Sequence, residues 1–219
     1  MIAGGGTGGH IFPAIAIAQA VREREPDARF LFVGAEGRME MTKVPAAGFE
    51  IEGLPIRGFQ RGSVLKNLGL PLRLLRSLLK ARALLKRFRP DVAVGVGGYA
   101  SGPLLAAAQR MAVPTLIQEQ NSFPGKTNIH LARRAKCICV AYAGMERYFP
   151  QDRILLTGNP VRSETVRLKG KRPRGLEHFG LGEDAPVLFI TGGSLGARGI
   201  NRGVEAALPM WKEAGLQVV

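Results

Sequence analysis

Acidic residues are scarce in this chain. Its 219 residues include 17 Asp and Glu against 31 Lys and Arg, which leaves a formal net charge of +14. This balance indicates an anionic partner, such as a nucleic acid, an acidic membrane surface or a phosphorylated substrate. Aromatic residues make up only 6% of the chain and no nucleic-acid-binding motif is present. A basic nucleic-acid-binding α/β protein is therefore kept only as an alternative, and no nucleic-acid partner is predicted.

Cysteine is almost absent as well. Only Cys137 and Cys139 occur, in the segment KCICVAY, which is typical of a β-strand. Alternate residues of a strand point to the same face, where a disulfide between positions i and i+2 is disfavoured. We therefore expect two packing residues in a reducing compartment. We also expect no secretory signal, because the chain starts with a glycine loop and not with a basic stretch followed by an apolar run. We expect no membrane-spanning segment, because no uncharged apolar run approaches the ~20 residues that a span needs.

Short apolar segments alternate with segments of helical periodicity along the chain. Strands are predicted over 29–34, 91–98, 114–121, 136–142 and 153–160. Helices are predicted over 13–25, 71–88, 101–111 and 124–134. Near-continuous apolar strands that alternate with helices indicate a parallel sheet covered on both faces, that is, a doubly wound α/β domain.

A charged stretch rich in Gly and Pro, RLKGKRPRG at 167–175, interrupts this alternation and predicts a domain linker. A strand, a glycine loop and a helix follow it, and the apolar LQVV starts a further strand. We therefore expect two domains, 1–162 and 163–219, of which the second is incomplete in this chain.

Three glycine-rich loops follow predicted strands and precede predicted helices, at Gly4–His10, 95–103 and 191–198. Open α/β sheets bind ligands at the carboxyl ends of their strands, and a helix N-terminus favours an anion. In the third loop, Gly192, Gly193 and Ser194 could cradle a diphosphate with backbone N–H groups and a hydroxyl. None of the loops has the spacing of a P-loop. The three loops together predict a phosphate-bearing ligand.

The segment 61–90 contains nine basic residues and no acid. On a helical wheel it has two apolar stripes. One stripe can pack on the sheet, whereas the other, which includes Leu72, Leu75 and Leu79, lies between basic borders that include Arg73, Arg76, Lys80 and Lys86. An apolar stripe with basic borders is typical of a membrane-surface element. The alternative is a solvated charged face beside a wide core stripe.

Five ordered motifs, GGGTGGHIFPAIAIA, GVGGYASGP, QEQN, GNPVR and TGGSLGAR, closely resemble glycosyltransferase family 28. Within this family they resemble the bacterial N-acetylglucosaminyltransferases of peptidoglycan synthesis. The resemblance implies a GT-B architecture of two Rossmann-like domains, in which the N-terminal domain takes the lipid acceptor and the C-terminal domain takes UDP-N-acetylglucosamine. It implies inverting transfer to the 4-hydroxyl of the muramyl sugar of lipid I, forming lipid II. A transferase acting on another lipid-linked acceptor is the alternative.

The resemblance also implies roles for individual residues. His10 is the expected general base, which suits an imidazole because it titrates near neutral pH. Its alternative roles are to cap the helix or to donate to a phosphate, and Glu119 is a second, lower-ranked base. Expected substrate contacts are Thr7, Gly8, Gly9, Gly98, Tyr99, Ser101, Asn121, Arg162, Gly192, Gly193 and Ser194. The chain departs from the family at Gln118, where the family often has histidine.

The resemblance further implies that UDP-N-acetylglucosamine is the donor substrate, with no protein-bound cofactor and no metal site. The expected location is the cytoplasmic face of the bacterial inner membrane, as a peripheral protein that contacts the anionic surface. We expect the 219 residues on their own to be inactive.

Overall fold

The structure is a computed structural model that describes residues 1–58, 69–192 and 196–219. The chain divides into two compact units, Met1–Glu164 and Thr165–Val219. Each unit is described by itself below.

The first unit is built on a sheet of seven parallel strands. The strands are β1 Ile2–Ala3, β2 Phe32–Ala35, β3 Ile51–Leu54, β4 Ala93–Gly95, β5 Thr115–Glu119, β6 Cys137–Val140 and β7 Ile154–Leu156. Their order is β3-β2-β1-β4-β5-β6-β7, so the direction of winding reverses between β1 and β4. Such a reversal opens a crevice at the carboxyl ends of the two strands, where doubly wound sheets bind their ligands.

Helices cover both faces of this sheet. They are α1 Gly8–Arg24, α2 Glu40–Ala46, α3 Leu70–Phe88, α4 Ser101–Arg110 and α5 Lys126–Ala132, with 3₁₀ turns at Met145–Arg147 and Gln151–Arg153. The short helix α6, Ser163–Val166, contains the boundary between the two units. One core cluster joins the sheet to α3, α4 and α5 through residues such as Leu85, Leu104 and Leu131. A second cluster joins the opposite face to α1 and α2 through residues such as Ile15 and Val44.

The predicted α/β class is confirmed: four of the five predicted strands contain an observed one, and the fifth, predicted over 29–34, overlaps β2 but ends one residue early. Strand β4 is shorter than predicted because its glycine-rich end leaves the sheet, where Gly97 and Gly98 have φ angles of +101° and +84°. Helix α1 begins at Gly8, five residues before its predicted start at 13, because Gly8 and Gly9 belong to its first turn. Among the described elements, α2, β3 and the short α6 were not predicted.

The second unit contains α7 Arg172–Phe179, β8 Val187–Leu188, α8 Arg198–Glu213 and β9 Gln217–Val218. Strands β8 and β9 pair in parallel, with Val187 opposite Gln217. Two parallel neighbours joined by a helix form a βαβ unit. The prediction of a linker over 167–175 was too long, because α7 begins at Arg172.

Candidate functional site

The first glycine loop leaves β1 and winds directly into α1. Gly6 has a φ of +86°, a left-handed conformation that glycine adopts without strain. The N–H groups of His10 and Ile11 donate to the carbonyl of Thr7 and close the first turn. The first N–H groups of a helix have no acceptor within the helix. Gly8 and Gly9 therefore offer backbone donors and the positive end of the helix dipole at the carboxyl edge of the sheet.

The imidazole of His10 folds back over this loop. Its Nδ1 lies 3.1 Å from the carbonyl oxygen of Gly5 and 3.4 Å from the hydroxyl of Thr7. Because a carbonyl oxygen can only accept, Nδ1 carries the hydrogen of this bond. In the neutral imidazole the other nitrogen, Nε2, then has no hydrogen and can accept a proton.

The second glycine loop packs against the first, backbone to backbone. A Cβ placed on Gly98 would collide with the carbonyl group of Gly5, and one placed on Gly97 would lie 2.7 Å from Nε2 of His10. Both positions also have positive φ angles. The fold thus brings the predicted His10 against Gly97 and the predicted Gly98 against Gly5 at the reversal of the sheet, at separations that only glycine allows.

Ser101, a predicted substrate contact, is completely buried at the start of α4. Its hydroxyl lies 2.8 Å from the carbonyl oxygens of both Ala3 and Gly97, and it accepts the N–H of Gly97. These bonds tie the second loop to β1. The buried hydroxyl of Ser101 therefore holds the loop, and the expected substrate contact of this residue stays a prediction.

Tyr99 lies at the tip of the second loop, and its side chain is about half exposed. The ring packs so closely on Gly58 that a Cβ there would collide with it, and it passes 3.9 Å from the Cβ position of Gly6. An exposed aromatic ring beside the first loop is compatible with the predicted substrate contact, which stays a prediction.

Glu119 ends β5 and is buried. Its Oε1 accepts the backbone and side-chain N–H groups of Asn121 at 3.0 Å, and its Oε2 accepts the side-chain N–H of Asn128 at 2.8 Å. A carboxylate has about four acceptor positions, and three are used here. This placement favours a role in orienting the exposed Asn121 over the predicted role as a base. Gln118, on the same strand, is also buried, and its Nε2 has no hydrogen-bond partner in the described part of the chain.

Arg162 is exposed, and its guanidinium carbon lies 5.2 Å from the ring centre of Phe12 in α1. This contact brings a cation to the helix that begins at the first loop. Gly192 is exposed ahead of α8, whereas Gly193 and Ser194 lie outside the described residues. Their expected donor contacts, like that of Arg162, remain predictions.

Comparison with known proteins decides the family. The glycosyltransferase family 28 N-terminal domain matches residues 1–140, more than half of the chain. This chain belongs to glycosyltransferase family 28.

Similar family 28 proteins carry one name. The UDP-N-acetylglucosamine--N-acetylmuramyl-(pentapeptide) pyrophosphoryl-undecaprenol N-acetylglucosamine transferase of Bacteroides thetaiotaomicron is 58% identical over 97% of this chain and 57% of its own length. The protein of the same name from Cytophaga hutchinsonii is 55% identical over 100% of this chain and 59% of its own length. The chain thus spans less than three fifths of these curated relatives.

The crystal structure of Acinetobacter baumannii MurG is similar to the whole family 28 chain, with a TM-score of 0.72 and 26% identity. The match covers 67% of that protein. It supports the fold assigned above and the predicted GT-B class.

The basic helix of this family 28 chain presents one face to the core and another outward. Ser77, Ala81, Leu84 and Leu85 are buried, whereas Leu72, Leu75 and Leu79 are between 53% and 60% exposed. Leu74 is exposed as well, because the buried stripe runs through Ser77 and Leu84.

Two of the basic residues on this helix pair with acids of the sheet edge. Lys80 Nζ lies 3.4 Å from Oε1 of Glu36, and Arg87 Nη2 lies 2.5 Å from Oε1 of Glu52. Arg76 and Lys86 are exposed. Residues 61–68, the start of the predicted basic segment, are outside the described range.

The described residues of the family 28 chain hold neither a metal-binding cluster nor a membrane-spanning helix. Within 1–58, 69–192 and 196–219, no group of three His, Cys, Asp or Glu side chains is placed to hold a metal ion. Over the same ranges, none of the helices combines the length and the apolar character that crossing a bilayer requires.

Proposed function

We propose that the full-length protein transfers N-acetylglucosamine from UDP-N-acetylglucosamine to the 4-hydroxyl of the muramyl sugar of lipid I, forming lipid II. The relatives that bear this activity in their names are 50–58% identical to the chain. The observation that carries the proposal is the position of His10: a histidine with an open Nε2 lies where two glycine loops meet, at the ligand-binding edge of a doubly wound sheet.

The chemistry follows from this geometry. The unprotonated Nε2 of His10 takes the proton of the acceptor hydroxyl while its oxygen forms a bond to the anomeric carbon of the donor sugar. The bond from that carbon to the diphosphate breaks in the same step and UDP leaves, so the configuration inverts. The backbone donors of Gly8 and Gly9, with the dipole of α1, would hold the pyrophosphate of the acceptor.

The two units would then divide the substrates. The first unit, with the loops and His10, would bind the acceptor, and the domain that begins with the second unit would bind the donor. Gly192, Gly193 and Ser194 would contact the donor diphosphate, and Arg162 would add a cation to one of the two diphosphates. The donor brings its own leaving group, so we propose no protein-bound cofactor and no metal held by these residues.

The acceptor is attached to a lipid, so the enzyme must work at a membrane surface. The exposed Leu72, Leu75 and Leu79 of α3, with Arg73, Arg76, Lys80 and Lys86 beside them, are suited to the interface of an anionic bilayer. We propose peripheral attachment at the cytoplasmic face of the bacterial inner membrane.

The test is UDP release by the full-length protein from UDP-N-acetylglucosamine and a short-chain lipid I analogue. We expect release that depends on the acceptor and falls by at least ~10²-fold in His10→Ala, because a general base contributes about that factor. His130→Ala, on α5 and outside the loops, is the matched control and should retain activity. Release that survives in His10→Ala would leave the transferase but remove the base. Absence of acceptor-dependent release would contradict the proposed acceptor.

A further inference from the structure

A buried carboxylate that the sequence analysis did not select holds the first glycine loop. Glu40 is the first residue of α2 and has no exposed surface. Its Oε2 accepts the N–H of Gly6 at 3.0 Å, and its Oε1 accepts the N–H of Ala35 at 3.0 Å. Burying a carboxylate is costly unless it is paired or hydrogen-bonded. No ion pair to Glu40 occurs among the described residues, so these backbone donors are its compensation.

Two glycines keep open the space that this side chain occupies. A Cβ on Gly5 would collide with the carboxylate of Glu40, and a Cβ on Gly34 would lie 2.5 Å from its Cγ. The loop after β1 and the strand β2 are therefore both shaped around Glu40. Because two segments leave room for this buried carboxylate, we expect it to have a specific role in the loop.

The peptide group that Glu40 contacts indicates this role. The N–H of Gly6 and the carbonyl of Gly5 belong to one peptide unit. Glu40 binds the N–H side of this unit, and Nδ1 of His10 lies 3.1 Å from its carbonyl oxygen on the other side. A continuous chain of hydrogen bonds thus runs from the carboxylate, through one peptide group, to the imidazole.

We propose that Glu40 is a positioning residue that acts on His10 through the Gly5–Gly6 peptide. The carboxylate fixes the peptide plane, and hydrogen bonds in series polarise one another, which strengthens the Gly5 carbonyl as acceptor for Nδ1–H. Nε2 is thereby kept unprotonated beside Gly97. A catalytic triad uses a carboxylate on its histidine in the same way, but by direct contact. The inference rests on the proposed function, in which Nε2 takes the acceptor proton.

The first test reads the tautomer of His10 without any reaction. In the full-length protein labelled with ¹⁵N-histidine, at a pH above the imidazole titration, we expect the His10 proton on Nδ1. In Glu40→Gln the amide can accept only one of the two backbone N–H groups and presents its NH₂ to the other, so the Nε2-protonated tautomer should gain. Glu50→Gln, an exposed site, is the control and should leave the spectrum unchanged. A His10 proton on Nε2 in the unsubstituted protein would overturn the proposal, even if Glu40→Gln does not fold.

The second test separates positioning from simple loop support. We expect Glu40→Gln to lower kcat by about 10-fold with little change in KM for the donor, and to cause no further loss in a His10→Ala background, because residues that act as a unit are not additive. Losses that multiply in the double variant would overturn the proposal. If the unsubstituted protein shows no acceptor-dependent release, the proposed function fails, and the tautomer spectrum alone decides the role of Glu40.

Discussion

Gly98 shows that the site has positions at which only glycine fits. Its φ is +84° and its Cα faces the carbonyl of Gly5. Gly98→Ala should lower the free energy of unfolding by about 2 kcal/mol or more, because the Cβ adds a collision to a strained backbone. Transfer activity of the full-length protein should fall with it, since the two loops must separate. Denaturant unfolding and UDP release measure the two effects.

Gly125→Ala is the matched control for that variant. A Cβ on Gly125 meets nothing within 4 Å, and its φ of −65° suits any residue. Gly125 is the N-cap of α5, where alanine is less favourable than glycine, so the free energy of unfolding should fall by no more than about 1 kcal/mol. Equal losses of unfolding free energy in Gly98→Ala and Gly125→Ala would show that the close Gly5–Gly98 contact makes no particular demand for glycine.

Cys139 offers a prediction that depends on pH. Burial raises the pKa of its thiol from 9.0 to about 11, with a further contribution from neighbouring Cys137. Since the thiolate is the nucleophile, Cys139 should react with iodoacetamide ~10²-fold more slowly at about pH 8 than a free thiol. The rate should rise tenfold per pH unit towards the raised pKa. Mass spectrometry of native and denatured protein measures it, and fast labelling of the native protein would contradict the assignment.

Individual residues of the site were predictable to different degrees. His10 and the glycines stand in one short segment whose composition already indicates a ligand. Glu40 was missed because its partner Gly6 is 34 residues away, and its neighbours show no pattern that distinguishes a buried carboxylate from an exposed one. For Ser101 the sequence indicates its loop, whereas only the fold shows that its hydroxyl bonds to the backbone of β1 and of Gly97.

At the scale of elements, α3 carries the clearest prediction. Leu75→Asn with Leu79→Asn should weaken binding of the full-length protein to anionic vesicles by at least ~10-fold, since each leucine that enters an apolar phase contributes about 1.5–3 kcal/mol. Thermal stability should hold, because both side chains are exposed. The control is Leu156→Asn with Leu168→Asn, two exposed leucines outside α3. Equal binding of the two double variants would remove α3 from the membrane contact.

The turn between α4 and β5 contains a strained residue. Ala112 has a φ of +58°, a conformation that costs a residue with a Cβ about 1 kcal/mol. Ala112→Gly relieves this strain and should therefore raise the free energy of unfolding by ~0.5–1 kcal/mol. The greater conformational entropy of the unfolded chain with glycine reduces this gain. Ala106→Gly, inside α4, should lower it by about 1 kcal/mol. Chemical denaturation gives both values, and a loss in Ala112→Gly would contradict the strain.

Long apolar strands and periodic helices were predictable because their own residues are sufficient to indicate them. Helix α2 and strand β3 were not, for local reasons. Helix α2 has seven residues and contains Pro45, which is unfavourable within a helix. Strand β3 has four residues, including Glu52 and Gly53. Both are held by tertiary packing on β2, which no short window of sequence contains.

The net charge of +14 belongs to the molecule as a whole. Each basic residue near an anionic bilayer contributes about 1 kcal/mol, and salt screens the attraction. We expect the full-length protein to bind anionic vesicles more tightly than a DNA duplex at about physiological salt, and to leave the vesicles as salt rises. Zwitterionic vesicles are the control. Tighter binding to DNA would favour the nucleic-acid alternative.

A small molecule bound against the backbone where Gly5 meets Gly98 would be difficult for a bacterium to evade by mutation. Resistance commonly arises when a substituted side chain blocks the inhibitor. At these two positions a new side chain would collide first with Glu40 or with the opposite loop. The variants that exclude such an inhibitor would therefore be the variants that disrupt the two glycine loops.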